Sequence, residues 1–227
     1  MSIAKFLTDR VAVVTASTTG IGFAIAKRLG LDGASVVVSS RKARNVEEAV
    51  TALRMEGIDA AGVCAHVGIA DDRKKLIDFT VERFGKLDIL VRAALQLTQE
   101  AVPHLEKTGR GSVVFVSSVA AFAPIEGLGA YSIMKTALVG VNKALSQSLA
   151  NRNIRVNAIA PGIIRTDFSR VLYEDECKRK ELLSSISLNR LGEADECADA
   201  VSFLVSDEAS YITGETVSMN GGMQTRI

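Results

Sequence analysis

Val11-Ala12-Val13-Val14-Thr15-Ala16-Ser17-Thr18-Thr19-Gly20-Ile21-Gly22 runs from an apolar stretch through small residues into a helix-forming segment. The apolar run, bounded by Ser, Thr and Gly, fits a buried strand, and residues 22–31 carry apolar side chains at helical spacing. Small residues in such a turn let the backbone approach an anion. The helix that follows offers unpaired N–H groups and a partial positive charge. Thr15, Ser17, Thr18, Gly20, Ile21 and Gly22 are therefore expected to cradle the pyrophosphate of a dinucleotide. A plain structural turn uses the same glycines, and the strand–turn–helix context is what favours the phosphate reading.

Outward from this turn the chain alternates β-branched runs with longer segments of helical period. Strands are expected over 10–15, 34–39, 60–64, 87–91, 112–117, 154–160 and 216–219. Helices are expected over 22–31, 46–56, 73–84, 92–107, 131–150 and 194–205. This alternation predicts an α/β fold with a doubly wound, mainly parallel, Rossmann-like sheet. No repeat, low-complexity tract or linker interrupts it, so residues 1–227 are expected to form a single domain.

The second strand bears on the choice of cofactor. An NAD site usually places an acidic residue at its end for the ribose hydroxyls. This chain reads Ser39-Ser40-Arg41-Lys42. A carboxylate would repel a 2′-phosphate, whereas an arginine fork binds one with charge-assisted hydrogen bonds. Ser40, Arg41 and Lys42 thus favour NADP(H), the alternative being an exposed basic strand end.

Further along stand Ser118, Tyr131 and Lys135, the last two four residues apart and so on one face of a helix. A free phenol titrates near pH ~10, too high for efficient proton exchange at neutral pH. A unit positive charge at ~4 Å in an effective dielectric of ~20 is worth roughly 4 kcal/mol to its anion. A lysine so placed can tune a tyrosine acid and also reach a cofactor ribose. A serine at the preceding strand end can orient a substrate oxygen. In isolation the pair reads more simply as an exposed tyrosine stacked along a lysine stem, and it is the rest of the chain that favours the acid–base reading.

Composition sets the bounds. A hydrophobic fraction of 48% with 23% charged residues is ordinary for a globular protein. A net charge of +1 gives no argument for nucleic acid or an anionic membrane. No apolar run approaches the ~20 residues of a membrane span, and the N-terminus lacks a signal-peptide core. Cys64, Cys177 and Cys197 are odd in number and widely spaced, so neither a disulfide framework nor a metal site is expected. Cys64 reads as a core filler, Cys177 as part of a charged helix. His66 and His104 lack the close partners a zinc site needs.

Together these residues resemble the short-chain dehydrogenase/reductase family, from the first strand almost to the C-terminus. The family's glycine motif matches Thr15 to Gly22, with Ala16 where a glycine is usual. Its serine, tyrosine and lysine match Ser118, Tyr131 and Lys135 at the family spacing. Asn157-Ala158-Ile159-Ala160-Pro161-Gly162, Thr166, Arg190-Leu191-Gly192-Glu193 and Tyr211-Ile212-Thr213-Gly214 are further matches. The resemblance implies cofactor contacts at Pro161, Gly162 and Thr166, the last to the nicotinamide carboxamide. Thr15-Ala16-Ser17-Thr18, Ser39-Ser40-Arg41-Lys42 and Cys64-Ala65-His66-Val67-Gly68 fit a subgroup of peroxisomal NADP-dependent carbonyl and retinal reductases. That likeness implies reduction of ketones, aldehydes, quinones or retinal, and a homotetramer.

Two departures stand out. After Leu87-Asp88-Ile89-Leu90-Val91 the family has an Asn-Ala turn, a helix, and an Asn of the proton relay. Here Val91 runs directly into Arg92-Ala93-Ala94-Leu95-Gln96, as though that segment were absent. Such corners usually take ~2–6 residues rich in Gly, Asn or Pro, and none lies between Val91 and Pro103. A strand or helix end must unwind to turn the corner. The alternative function that follows is a catalytically impaired NADP-binding subunit or assembly partner. The second departure is the tail, Gln224-Thr225-Arg226-Ile227, a degenerate form of a peroxisomal address, which leaves peroxisome and cytoplasm both open.

Residues 163–187 read as a substrate lid. Ile163, Ile164, Phe168, Val171, Leu172, Leu182, Leu183 and Ile186 are expected to roof an apolar pocket for a small carbonyl substrate, or to serve ordinary core or oligomer packing. Glu174–Lys178 and Glu176–Lys180 are expected as ion pairs on a solvated helix face.

Overall fold

In the computed structural model, which describes residues 5–92 and 95–225, seven parallel strands form one sheet in the order β3-β2-β1-β4-β5-β6-β7. The strands are β1 Val11–Val14, β2 Ser35–Ser40, β3 Ala60–Cys64, β4 Ile89–Val91, β5 Gly111–Val116, β6 Ile154–Pro161 and β7 Thr216–Met219. The helices are α1 Gly20–Leu31, α2 Ala43–Met55, α3 Ala70–Phe84, α4 Leu95–Lys107, α5 Gly129–Leu149, α6 Glu176–Ser184 and α7 Ala194–Val205. The expected doubly wound architecture is present.

Alternation along the strands divides the core. Ala12, Val14, Val36, Val38, Val114 and Ile159 face the layer of α1, α2 and α7. Val13, Val37, Val113, Phe115, Val156 and Ala158 face α3, α4 and α5. A parallel sheet covered on both faces needs such continuous apolar runs, which is why the strands were readable as blocks. Helices α1 and α7 pack together, and polar bonds frame the contact. Asp32, just past α1, accepts from Ser202 of α7, and Arg28 pairs with both Asp32 and Asp199.

Polar clamps fasten the C-terminal segment. The Arg155 guanidinium donates to the carbonyls of Leu204, Ser206 and Ile212. Buried Asn157 donates to Ile212 and accepts from the Glu215 N–H. The Asn157 and Tyr211–Gly214 motifs are thus two halves of one clamp.

Three expectations need correction. The helix expected over 92–107 begins at Leu95, and the strand expected over 87–91 is only Ile89–Val91. The strand gives up Leu87 and Asp88 at the end away from the corner, and at the corner itself Arg92 takes φ +60. Ala93 and Ala94, within the expected helix, lie outside the described residues, as do Arg226 and Ile227 of the tail. Secondly, Glu174 precedes α6, whose N-cap Asp175 accepts from the Lys178 N–H, so Glu174 pairs with Arg170 at 3.2 Å rather than with Lys178. Glu176–Lys180 forms at 3.5 Å. Thirdly, Cys64 is only half-buried, at the end of edge strand β3.

Packing of α2 on β3 rests on Gly62, where a Cβ would overlap Val46 and approach Val50 Cγ2 to 2.7 Å. Gly62→Ala is expected to destabilise the fold by about 1–3 kcal/mol through overpacking, read as a lower urea midpoint at unchanged slope.

Candidate active site

The strand order reverses between β1 and β4, and ligands of open α/β sheets bind at the carboxyl ends of the strands beside such a switch. The loop from Thr15 to Gly20 lies on one side of it and Arg92 on the other. Two residues expected at the cofactor have their hydroxyls bonded to the framework. Thr15 is buried, and its hydroxyl donates to the Arg92 carbonyl at 2.8 Å. Ser17 is buried too: its hydroxyl donates to the Val14 carbonyl and accepts from the Ser39 N–H at 3.1 Å. These bonds join the ends of β1, β2 and β4 and leave the loop backbone to face the groove.

That backbone is shaped to admit a ligand. Gly20 has φ +55, and a Cβ on Gly22 would overlap the Ala16 carbonyl oxygen. Ala16, standing where the family has glycine, keeps φ +46 despite its Cβ. The N-cap of α1, Thr19, makes no side-chain cap bond, and the first turn holds no acidic residue. Ile21 is half-buried and Thr18 likewise. Across the groove Thr166 meets the loop: a Cβ on Gly20 would stand 3.4 Å from its Cγ2. Thr166 was assigned only by resemblance, and the fold brings it to the cradle.

At the end of β2, Ser40 is half-buried, while Arg41 and Lys42 are exposed. Among the described residues neither cation has a carboxylate within ion-pairing distance. Lys42 is also the N-cap of α2. Pro161 ends β6, and Gly162 lets β6 pass β7 closely, since a Cβ there would meet Asn220 Cα at 2.9 Å.

Helix α5 carries Tyr131 and Lys135 and is docked onto the end of β5 by three bonds. Ser117 Oγ donates to the Lys135 carbonyl at 2.8 Å, Lys135 Nζ donates to the Val116 carbonyl at 2.7 Å, and Thr136 Oγ1 donates to Ala121 at 2.9 Å. Ser118 begins the short 3₁₀ turn Val119–Ala121, and its hydroxyl accepts from the Ala120 N–H at 3.2 Å. Accepting that bond leaves the Ser118 hydroxyl proton available to another partner. Lys135 Nζ lies 5.4 Å from the Tyr131 ring centre, over the face of the ring.

Two further residues enter the site. The Phe168 ring lies 6.1 Å from the Tyr131 ring at an interplanar angle of 37°. Arg92 Nη1 donates to the Ala16 carbonyl at 3.3 Å. Burial, reinforced by the charge of Arg92, brings the Lys135 ammonium down to a pKa of about 8. Burial also pulls Arg92 below its usual value, against the attraction of Tyr131. Reading the sequence missed Arg92 as a site residue, although a long cation at a corner without Gly or Asn was the available signal. Ser117, adjacent to the predicted Ser118, was missed as the residue that seats α5.

The lid region divides. Ile163, Ile164 and Ile186 are buried, Leu172, Leu182 and Leu183 pack partly against that cluster, and Phe168 and Val171 are exposed. A concavity of about 500 Å³ is lined by Ile163, Ile186, Leu188, Cys197, Met219 and neighbouring residues. Tyr131 is not among its walls, so these apolar residues and the Tyr131–Lys135 pair do not share this hollow.

Residues 10–94 match the short chain dehydrogenase family and residues 91–224 match the Enoyl-(Acyl carrier protein) reductase family. The two matches meet at the shortened corner. The Dehydrogenase/reductase SDR family member 4 of Oryctolagus cuniculus is 48% identical over 249 aligned residues, covering 97% of this chain and 96% of the relative. That of Homo sapiens is 47% identical, covering 97% and 90%. The aligned length exceeds the 227 residues of the chain, so residues of these relatives stand opposite gaps in it. Among solved structures, a 7 alpha-hydroxysteroid dehydrogenase complexed with NADH and 7-oxo glycochenodeoxycholic acid superposes with a TM-score of 0.92. It is 28% identical and covers 98% of this chain and 97% of its own. With the parallel sheet, the glycine loop and the Ser118, Tyr131, Lys135 grouping, these similarities establish that the chain belongs to the short-chain dehydrogenase/reductase family.

Proposed function

We propose that the protein is an NADP(H)-dependent oxidoreductase that reduces a carbonyl group, the class including ketones, aldehydes, quinones and retinal. The observation that carries the reading is Tyr131 held beside Lys135 at the end of β5, with Ser118 on the strand's exit. Support for the cofactor comes from the cradle: a Cβ at Gly22 would close it, and the first turn of α1 carries no competing carboxylate.

The bound nicotinamide would supply the hydride. Tyr131 gives its phenolic proton to the carbonyl oxygen, and Ser118 donates a hydrogen bond that fixes that oxygen. Lys135, moving off the Val116 carbonyl, holds the ribose and stabilises negative charge at Tyr131. Thr166 and Gly162 border the nicotinamide end. Arg41 and Lys42 at the end of β2, without an ion-pair partner among the described residues, would receive the 2′-phosphate, with Ser40 beside them. Exposed Phe168 against Tyr131 gives the apolar wall of a substrate entry.

A second reading, an NADP-binding subunit with poor turnover, is favoured by one observation: the corner at Arg92 leaves no room for an intervening helix before α4. A homotetramer, and a peroxisomal or cytoplasmic location, remain part of the proposal by resemblance alone.

NADPH oxidation with an aromatic ketone, a quinone or retinal separates the readings. Tyr131→Phe is expected to lower kcat by ~10²–10⁴-fold with cofactor affinity kept. Thermal stabilisation by NADPH without turnover in the wild type would favour the silent subunit. Arg41→Asp is expected to reverse a preference for NADPH over NADH; an unchanged ratio of kcat/KM values would remove the strand-end assignment.

A pH dependence follows from Lys135. Its ammonium has a pKa of about 8, below the ordinary 10.5, so the charge is present below pH 8 and lost above it. The profile of kcat/KM for NADPH should therefore descend through about pH 8, and Lys135→Arg should carry the plateau further into alkali. Between 8 and 10.5 the unfolded chain binds more protons than the folded one, so this site makes the fold more stable as pH rises through that window. A profile flat to pH 10 would exclude Lys135 as the group that titrates.

A further inference from the structure

Arg92 stands at the sheet's switch point on a backbone held from both sides. Its N–H donates to the Val114 carbonyl at 2.9 Å, and its carbonyl accepts from Thr15 Oγ1 at 2.8 Å. With φ at +60, the side chain crosses to the glycine loop. Nη1 reaches the Ala16 carbonyl at 3.3 Å and lies 2.9 Å from where a Cβ on Gly22 would stand. The guanidinium therefore adjoins both ends of the loop.

The cations around it repel it, and the titratable group that attracts it is the Tyr131 hydroxyl. Lys135 is close enough for Arg92 to disfavour its ammonium, and the N-terminus of α1 adds a partial positive charge without an acid in its first turn. Among the described residues no carboxylate lies within 4.0 Å of Arg92. A guanidinium keeps its proton in proteins, and this one, half-buried at the groove, gains from an opposite charge. The carbonyl to which it donates at 3.3 Å is neutral and distant, and a phosphate oxygen at about 2.8 Å would be the stronger partner.

We infer that Arg92 is a dinucleotide-binding residue whose guanidinium contacts the diphosphate bridge of the cofactor from the β4 side of the glycine loop. The inference rests on the dinucleotide reading above and adds to it the residue that neutralises the bridge. Two parallel N–H groups of the fork match two oxygens of a diphosphate, a geometry that Lys at this position would not reproduce. The loop N–H groups then approach the bridge from α1 and the guanidinium from β4.

Calorimetric titration of wild type, Arg92→Gln and Arg92→Lys with NADPH, ADP and adenosine 2′-monophosphate tests the assignment. ADP carries the diphosphate without the 2′-phosphate, and the third ligand the reverse. Arg92→Gln should weaken NADPH and ADP about tenfold or more and leave adenosine 2′-monophosphate within about twofold, with Arg92→Lys in between. Unchanged ADP affinity in Arg92→Gln overturns the inference. Tighter binding also overturns it and makes Arg92 a competitor for the loop. In the wild type, which carries no folding risk, ADP but not adenosine 2′-monophosphate should protect the Arg92 peptide from phenylglyoxal, read by mass spectrometry. Equal modification with and without ADP sinks the idea. Should wild type bind neither NADPH nor ADP, the dinucleotide reading itself falls; wild-type binding with an indifferent Arg92 removes this inference alone.

Discussion

A sheet of seven parallel strands allows no short return of the chain, and everything else in the molecule obeys that constraint. Each strand must be followed by a crossover on one face or the other. All carboxyl ends consequently meet along one rim, and the residues that leave those ends share a groove however far apart they lie in sequence. Thr15, Arg92, Ser118 and Gly162 follow β1, β4, β5 and β6 in this way. The rim is stitched by backbone and hydroxyl bonds between neighbouring strand ends, Thr15 to Arg92 and Ser17 to Ser39 among them.

The same constraint is under most strain at the passage from β4 to α4. Val91 ends β4 and Leu95 opens α4, a separation short of the median loop of about 4–6 residues. Arg92, a bulky cation, lies in the left-handed region, a conformation that costs a residue with a Cβ roughly 1–2 kcal/mol. Ala16 opposite does the same, and the two are bonded to each other. Non-glycine residues held so across a groove are the usual mark of a functional rim.

How legible all this was depended on the kind of signal. The strands announced themselves because a doubly covered parallel sheet leaves no room for polar alternation: Val11–Val14 and Gly111–Val116 are buried throughout. Tyr131 and Lys135 were legible because helical spacing fixes their neighbourhood. The roles of Thr15 and Ser17 were not, since small hydroxyl residues in a glycine loop serve a ligand or the frame equally well until partners are known. Glu174 was placed with Lys178 by spacing alone, but the capping bond of Asp175 begins the helix one residue too late for that pair. Arg92 could be seen as an anomaly but not as a site residue, because a side chain's direction at positive φ is decided by tertiary contacts. The lid was read as one unit, whereas its aliphatic residues divide between buried packing and the open surface.

The partnership of α1 with α7 has a consequence for biosynthesis. Residues 20–31 emerge from the ribosome early, yet the helix that covers their apolar stripe is residues 194–205, with Asp199 and Ser202 supplying the polar seal. The clamps from Arg155 and Asn157 close on residues 204–215 later still. Through most of translation the nascent protein must therefore carry an uncovered aliphatic ridge near its N-terminus, a natural station for chaperones. Cooperative closure waits until residues 194–215 have cleared the exit tunnel.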